Sequence, residues 1–407
     1  MNHAVRCFEL ILSVALLSAG LSCAGSAPNE AIGAPNEAIG APNEATYVYV
    51  GTTNGINVYD AAANGELTLV SGSPFTTPAG ILIGSNGNYL ITLATYYAYS
   101  YHVASNGAIG GQASEIDTQD YPGGGNCDGY SPGTRGLASL SHSGQNLYVV
   151  FHIYSGDCPD SIQTFNITNS GDLIFNGSIM TGGNGIGVGL GNYPGLIQAP
   201  TITASDTFAY AAGDFDCCNP PGAGGFSGYK LGSNGEMQNW TFHVSSPDNY
   251  TPLDLTADST NHLAAAVGYG DVESFPVQRQ LASYTVDGQG NLSTIGTAEN
   301  MPYPNVTPNY LNISPSGKLL AVAGNNGLQV FHFDGANPIT PYSGVLTTAE
   351  IDQIQWDNNN HLFALSDEED ELYVFTITPT SIAPAPGSPY AISSPNALAV
   401  VVNGKQL

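Results

Sequence analysis

The chain is short of positive charge. Six Lys plus Arg stand against 33 Asp plus Glu in 407 residues, a formal charge of −27. A surface so charged repels phosphate backbones and anionic headgroups, which excludes nucleic acid and acidic membrane surfaces as partners. The acidic residues are not themselves abundant, so the deficit lies in the bases. One hypothesis that accounts for it is an acidic external medium, where carboxylates approach neutrality near pH ~4 and self-repulsion falls. The apolar run Leu10 to Leu21 is too short to cross a bilayer. Beyond it no helical apolar period is found. Absent too are a Gly-x-Ser-x-Gly nucleophile elbow, a His-Glu-x-x-His zinc motif and an Asp-x-Asp-x-Asp-Gly calcium loop. What the chain does have is 50 Gly, 26 Pro and 23 Tyr, with many Val and Thr. That composition predicts an all-β fold.

Arg6, the apolar run and the small residues after it have the layout of an export signal. We expect residues 1–26 to direct the chain to the periplasm, cell surface or exterior. Cys23 follows Gly20-Leu21-Ser22, and two fates stay open: lipidation at Cys23 or cleavage near Ala27. Residues 27–45 repeat APNEAIG. Pro and Gly in each copy rule out a continuous helix or coiled coil, and the segment reads as a flexible tether. Residues 46–407 form the folded body, with no transmembrane span expected in the mature protein.

The body is repetitive. The stretch Val306 to Ile339 holds a Pro-led strand, a Ser-Pro-Ser-Gly turn, an apolar strand, an Asn-Asn-Gly turn and a strand ending in Asp-Gly. Its first strand aligns elsewhere on a Pro followed nine residues later by a turn Gly: Pro78 and Gly87, Pro308 and Gly317, Pro395 and Gly404. Pro252 pairs with Asn261 as a left-handed substitute for Gly, and Arg135 replaces the Pro before Gly144. Weaker copies run through Ile197–Asp206 and Ile351–Asn359. A second marker, Asn-Gly-x-Leu or a variant, recurs at Gly65, Gly107, Gly171, Gly235, Gly290, Asp334-Gly335 and Thr380-Ser381. Both markers count seven units, which predicts a seven-bladed β-propeller of four-stranded blades. The first blade lacks its innermost strand before Thr46, and Pro395 to Val402 supplies it from the other end. The ring is therefore closed by a C-terminal innermost strand joining the N-terminal strands, which removes free edges.

The repeated Gly-Ser-Pro-Phe/Tyr (Gly72 to Phe75, Gly387 to Tyr390), the SPSGKLLAV element (Ser314 to Val322) and the Asn-Gly-x-Leu turns resemble the seven-bladed lactonase-like propellers. These include relatives of 6-phosphogluconolactonase and the YVTN-repeat surface proteins. The resemblance covers about residues 46–407. It implies the fold and, for the enzymes of that family, action on anionic lactones. After export this chain keeps Arg135, Arg279, Lys230, Lys318 and Lys405 as its only basic residues. A phosphosugar site ordinarily needs several, and a single Arg suits a neutral or singly charged ligand.

Loops that join blades, and loops that join second to third strands, share one face of a propeller, where ligands are expected. Asp157, Asp160, Asp214, Asp216, Asp271, Glu273, Asp367 and Asp370 fall there, so this face is predicted to be acidic. Asp214 and Asp216 can hold Ca²⁺, with solvated loops as the alternative; no other cofactor is expected. Cys127, Cys158, Cys217 and Cys218 map to the same face, with Cys127–Cys158 a reasonable disulfide and three connectivities open. Arg135 is the candidate anion clamp or a structural ion pair. Asp254 and His152 are candidate base or orienter. The glycine run Gly182 to Gly191 lacks the strand-then-helix context of a phosphate cradle. The Tyr96 to Tyr101 cluster is expected to be blade packing.

Two functions follow. The first is an exported binding or scaffolding module that uses the acidic, disulfide-braced face for a small molecule, carbohydrate or protein. The alternative is a lactonase-type hydrolase or cyclase with its site at the central channel.

Overall fold

A computed structural model describes residues 45–77, 81–85, 87–94, 96–121, 138–151, 161–180, 200–203, 205–213, 225–245, 250–269, 278–378, 380–402 and 405–406. The export signal, all but the last residue of the tether, the glycine run and all the cysteines lie outside these residues.

The described chain is all β apart from one 3-10 turn at Thr118–Asp120. Its strands form seven antiparallel sheets, six of them running from an inner strand outward in chain order. Blade 1 is the split one. Its inner strand Pro395–Val402 pairs with Thr46–Thr52, in register from Thr46 opposite Val402 to Gly51 opposite Ala397. The inner strands of blades 2 to 7 are Ile81–Ser85, Ala138–Leu140, Thr201–Ile202, Tyr250–Ala257, Tyr310–Ile313 and Gln353–Trp356. Each inner strand lies against the next, and the seventh lies against the first. The expected propeller and its split blade are both present.

Why the strands are apolar on both sides is clear from the packing. In Leu319–Gly324 of blade 6, Leu319, Ala321 and Ala323 join the core shared with blade 7, whereas Leu320 and Val322 join the core shared with blade 5. A strand sandwiched between two neighbours reads as a continuous apolar run, since each face is buried. Seven such cores fill the seven interfaces between consecutive blades. The one between blades 7 and 1 combines Val48 and Val50 with Leu398 and Val400. Each buried Val or Leu contributes roughly 1.5–3 kcal/mol, so the latch strand is sealed by side chains as well as by its ladder.

The Asn-Gly turns do more than reverse the chain. A Cβ on Gly107 would sit 2.4 Å from Cδ1 of Tyr47 in the preceding blade, and one on Gly171 2.3 Å from Cε1 of Tyr89. The glycine carbonyls then accept hydrogen bonds from preceding blades: Tyr49 to Gly107 (2.9 Å), Tyr148 to Gly235 (2.9 Å) and Tyr210 to Gly290 (2.6 Å). The turn glycine is thus a socket for its neighbour. The Gly-Ser-Pro motif is likewise structural, since Ser73 Oγ accepts the Val58 amide and Ser388 Oγ accepts the Val374 amide.

The inner-strand turns depart from expectation in two places. Gly87, Gly144, Asp206, Gly317 and Asn360 have positive φ, so the left-handed residue of blade 7 is one beyond Asn359. Asn261 does not adopt positive φ. Blade 5 closes that turn with Asp258 accepting the amides of Thr260 (2.8 Å) and His262 (3.0 Å).

Candidate functional site

Sorting the described side chains by repeat position gives the channel its plan. Two residues past the aligned Pro stands Asp254 in blade 5 and Gln353 in blade 7. Gln353 Oε1 accepts the amide of Leu398 on the next inner strand (2.5 Å). Asp254 does the same with Leu311, and also takes the amide of Leu255 (2.6 Å). A register shift between Pro252 and Asp254 re-aims the strand at that point. Asp254 is 3% exposed, and burial raises its carboxyl well above the usual range against the pull of those two amides. It is a bridge between blades.

At the same end of the channel, Arg279 donates to the Pro308 carbonyl (2.8 Å) and Asn309 Oδ1 (3.4 Å), and its burial lowers its pKa. Asp367 is held by Asp352, whose Oδ2 accepts its amide (2.8 Å). Asp370, left-handed at φ 55°, caps the Ser394 amide (2.8 Å). These acids close turns, while Glu368 and Glu369 are exposed to solvent. Among the described residues no group of three or more His, Cys, Asp or Glu can hold a metal ion. Arg135, His152, Asp157, Asp160, Asp214, Asp216, Asp271, Glu273, Cys127, Cys158, Cys217 and Cys218 lie outside the described residues. Of the Tyr cluster, Tyr99 and Tyr101 are buried and Tyr97 is exposed.

The opposite end of the channel holds a cavity of about 510 Å³, within the roughly 300–1,000 Å³ range of small-molecule pockets. Four residues past the aligned position, five consecutive blades each contribute one uncharged polar side chain to it: Ser139, Thr201, Thr256, Asn312 and Gln355. Ser139 and Thr201 also donate to the next inner strand, at Pro200 O (2.8 Å) and Leu255 O (2.9 Å). Two positions further on, Ser141, Thr203, Asp258, Ser314 and Asp357 cap their own turns, for instance Ser141 Oγ on the Asn146 amide (3.0 Å) and Asp357 on the His361 amide (2.8 Å).

The lip is formed by the turns. Among the described residues that line it there is no Lys or Arg. Asp258 lines it, but its carboxylate is already held by Thr260 and His262. His142 is the lining histidine, and burial lowers its pKa despite Asp206 nearby. The arrangement offers hydrogen bonds without net positive charge, which suits a neutral polyhydroxylated ligand. The sequence analysis did not identify these residues. Stacking the seven repeats and reading the fourth column would have exposed them.

No family model matches the sequence, and the search of curated proteins found no match. The fold itself is shared with solved structures. A candidate 6-phosphogluconolactonase from Bacteroides fragilis has a TM-score of 0.60 at 16% identity, over 88% of this chain and 98% of that one. The periplasmic gluconolactonase of Pseudomonas aeruginosa has 0.59 at 18%, over 88% and 99%. A protein from Lactobacillus plantarum has 0.60 at 14%, over 88% and 100%. The likeness to lactonase-like propellers is therefore one of fold, and at such identities fold does not carry chemistry with it.

Proposed function

We propose that this chain is a lactonase-type propeller that opens a neutral sugar lactone in its central channel, outside the cytoplasm. The observation that carries the reading is the ring of five uncharged polar side chains around the cavity. A phosphorylated lactone would call for cationic partners, and the described lining residues include none. The sharing of fold with a periplasmic gluconolactonase is compatible with that substrate class and compartment. Among the described residues no helix is long and apolar enough to cross a membrane.

The test is base consumption by the purified protein with D-glucono-1,5-lactone and with its 6-phosphate, each corrected for spontaneous opening. We expect kcat/KM for the neutral lactone to exceed that for the phosphate by at least roughly tenfold, the value of one lost charge-assisted contact. A preference for the phosphate, or no acceleration of either, refutes the reading.

A further inference from the structure

We propose that His142 is the general base of the channel and that Asp206 is its positioning residue. The inference rests on the lactonase reading and adds to it the group that moves the proton. His142 lies on the turn after the inner strand of blade 3, at the lip of the cavity. Asp206 reaches across from the corresponding turn of blade 4. Its Oδ1 accepts the His142 amide (2.8 Å) and its Oδ2 the Ser143 amide (2.9 Å), so both carboxylate oxygens grip the backbone that bears the imidazole. To do so Asp206 sits at φ 49°, a left-handed conformation that Asp tolerates better than most residues. The grip fixes the turn of one blade from the next.

The ring is held differently from two histidines that stand three positions later in the repeat, at the start of the second strand. His262 Nδ1 lies 3.2 Å from Asp258 Oδ2, and His361 Nδ1 lies 2.7 Å from Asp357 Oδ2, each bound to the carboxylate of its own turn. His361 is 1% exposed. His142 Nδ1 stays 4.0 Å from Asp206 Oδ1, beyond hydrogen-bond range, and its side chain, at the cavity lip, is 40% exposed. The Thr203 backbone lies close enough to the ring to favour its protonated form slightly, against the effect of burial. In the neutral imidazole one ring nitrogen carries the proton and the other is an acceptor. Partial burial lowers its pKa, which favours the unprotonated form a base requires.

The step balances with water alone. The acceptor nitrogen of His142 takes a proton from water as its oxygen bonds to the lactone carbonyl carbon. The tetrahedral intermediate then collapses, the ring C–O bond breaks, and the departing ring oxygen takes the proton from the imidazolium. The product is the open hydroxy acid, which releases its acidic proton to solvent. The amides of Asn312 and Gln355, both on the cavity wall, are available as donors to the carbonyl oxygen.

The experiment compares wild-type protein with His142→Ala, His142→Gln and Asp206→Asn on D-glucono-1,5-lactone. Binding is measured separately with D-glucono-1,5-lactam, which keeps the ring and is not hydrolysed by this route. Both His142 variants should lose about 10²- to 10⁴-fold in kcat, with lactam affinity and KM within about threefold. Imidazole added to His142→Ala should restore part of kcat, which a purely structural role would not allow. Asp206→Asn loses one of two acceptors and should lower kcat by on the order of tenfold at unchanged KM. If wild type is active and His142→Ala keeps its kcat, or loses it without imidazole rescue in a variant that still binds lactam, the assignment of His142 falls alone. If wild type opens no lactone, both readings fall.

Discussion

The two ends of the central channel are made by the same inner strands and use their polar groups in opposite ways. Where the strands begin, Asp254 and Gln353 hold neighbouring amides, Asp352 holds Asp367, Asp370 holds Ser394, and Arg279 caps a carbonyl. Where they finish, Ser139, Thr201, Thr256, Asn312 and Gln355 line a cavity. Among the described residues, then, the acids of the first end are engaged by the backbone, and most of the acids expected on that face lie outside them. A carboxylate that satisfies backbone amides is unavailable to a ligand, whereas a neutral amide on an open wall is available.

Four substitutions sharpen or break this contrast. The greatest loss should come from the blade packing that carries both ends. In Gly107→Ala a left-handed residue at φ 78° would gain a Cβ 2.4 Å from Tyr47, at a cost of about 2–4 kcal/mol in urea unfolding. Next comes Asp352→Ala, which leaves the Asp367 amide unpaired and should destabilise by about 1–3 kcal/mol while leaving lactam binding intact. A loss of lactam binding here would show that both ends contact the ligand.

Asp254→Asn should act with the opposite sign. Because the folded carboxyl titrates above the unfolded one, the folded state holds its proton more tightly. Stability is then highest below the unfolded pKa of about 3.9, and declines as pH rises from there through the folded pKa. An amide keeps one of the two oxygens that face the Leu255 and Leu311 amides, and has no proton to lose. The variant should melt higher than wild type at pH 7 and at the same temperature at pH 3. A lower melting point at pH 7 would mean that the ionised form is the stabilising one.

The smallest stability effect belongs to the cavity. Asn312→Ala should change unfolding free energy by no more than about 0.5 kcal/mol and raise KM for the lactone by roughly three- to tenfold. If it destabilises as much as Asp352→Ala, the two ends are alike and the contrast is lost.

The fold was legible because its signals are local. A Pro, a turn Gly nine residues on and an Asn-Gly later recur within each unit, and positive φ demands particular residue types at those turns. Even so, the sequence did not show why the Asn-Gly glycine must be bare, since Tyr47 lies in a different blade from Gly107. The site was less legible for a related reason. Asn312 and Gln355 are ordinary residues one blade apart, and only closure of the ring sets them side by side. Asp254 drew notice as a lone acid beside a strand-leading Pro, and its partner Leu311 sits in the next unit. His142 and Asp206 are also in different units, and neither forms a recognisable motif with its sequence neighbours.

The split blade has a consequence for how the molecule comes into being. Six blades can pair their own strands as the chain emerges, yet Thr46–Thr52 has no inner partner until Pro395–Val402 has been made. Until then blades 7 and 1 leave the apolar surface around Val48, Phe363 and Leu372 open to water, together with an unpaired strand edge. The slow event in assembly should therefore be a single long-range docking, and the interval before it is when the protein is most exposed to aggregation and proteolysis.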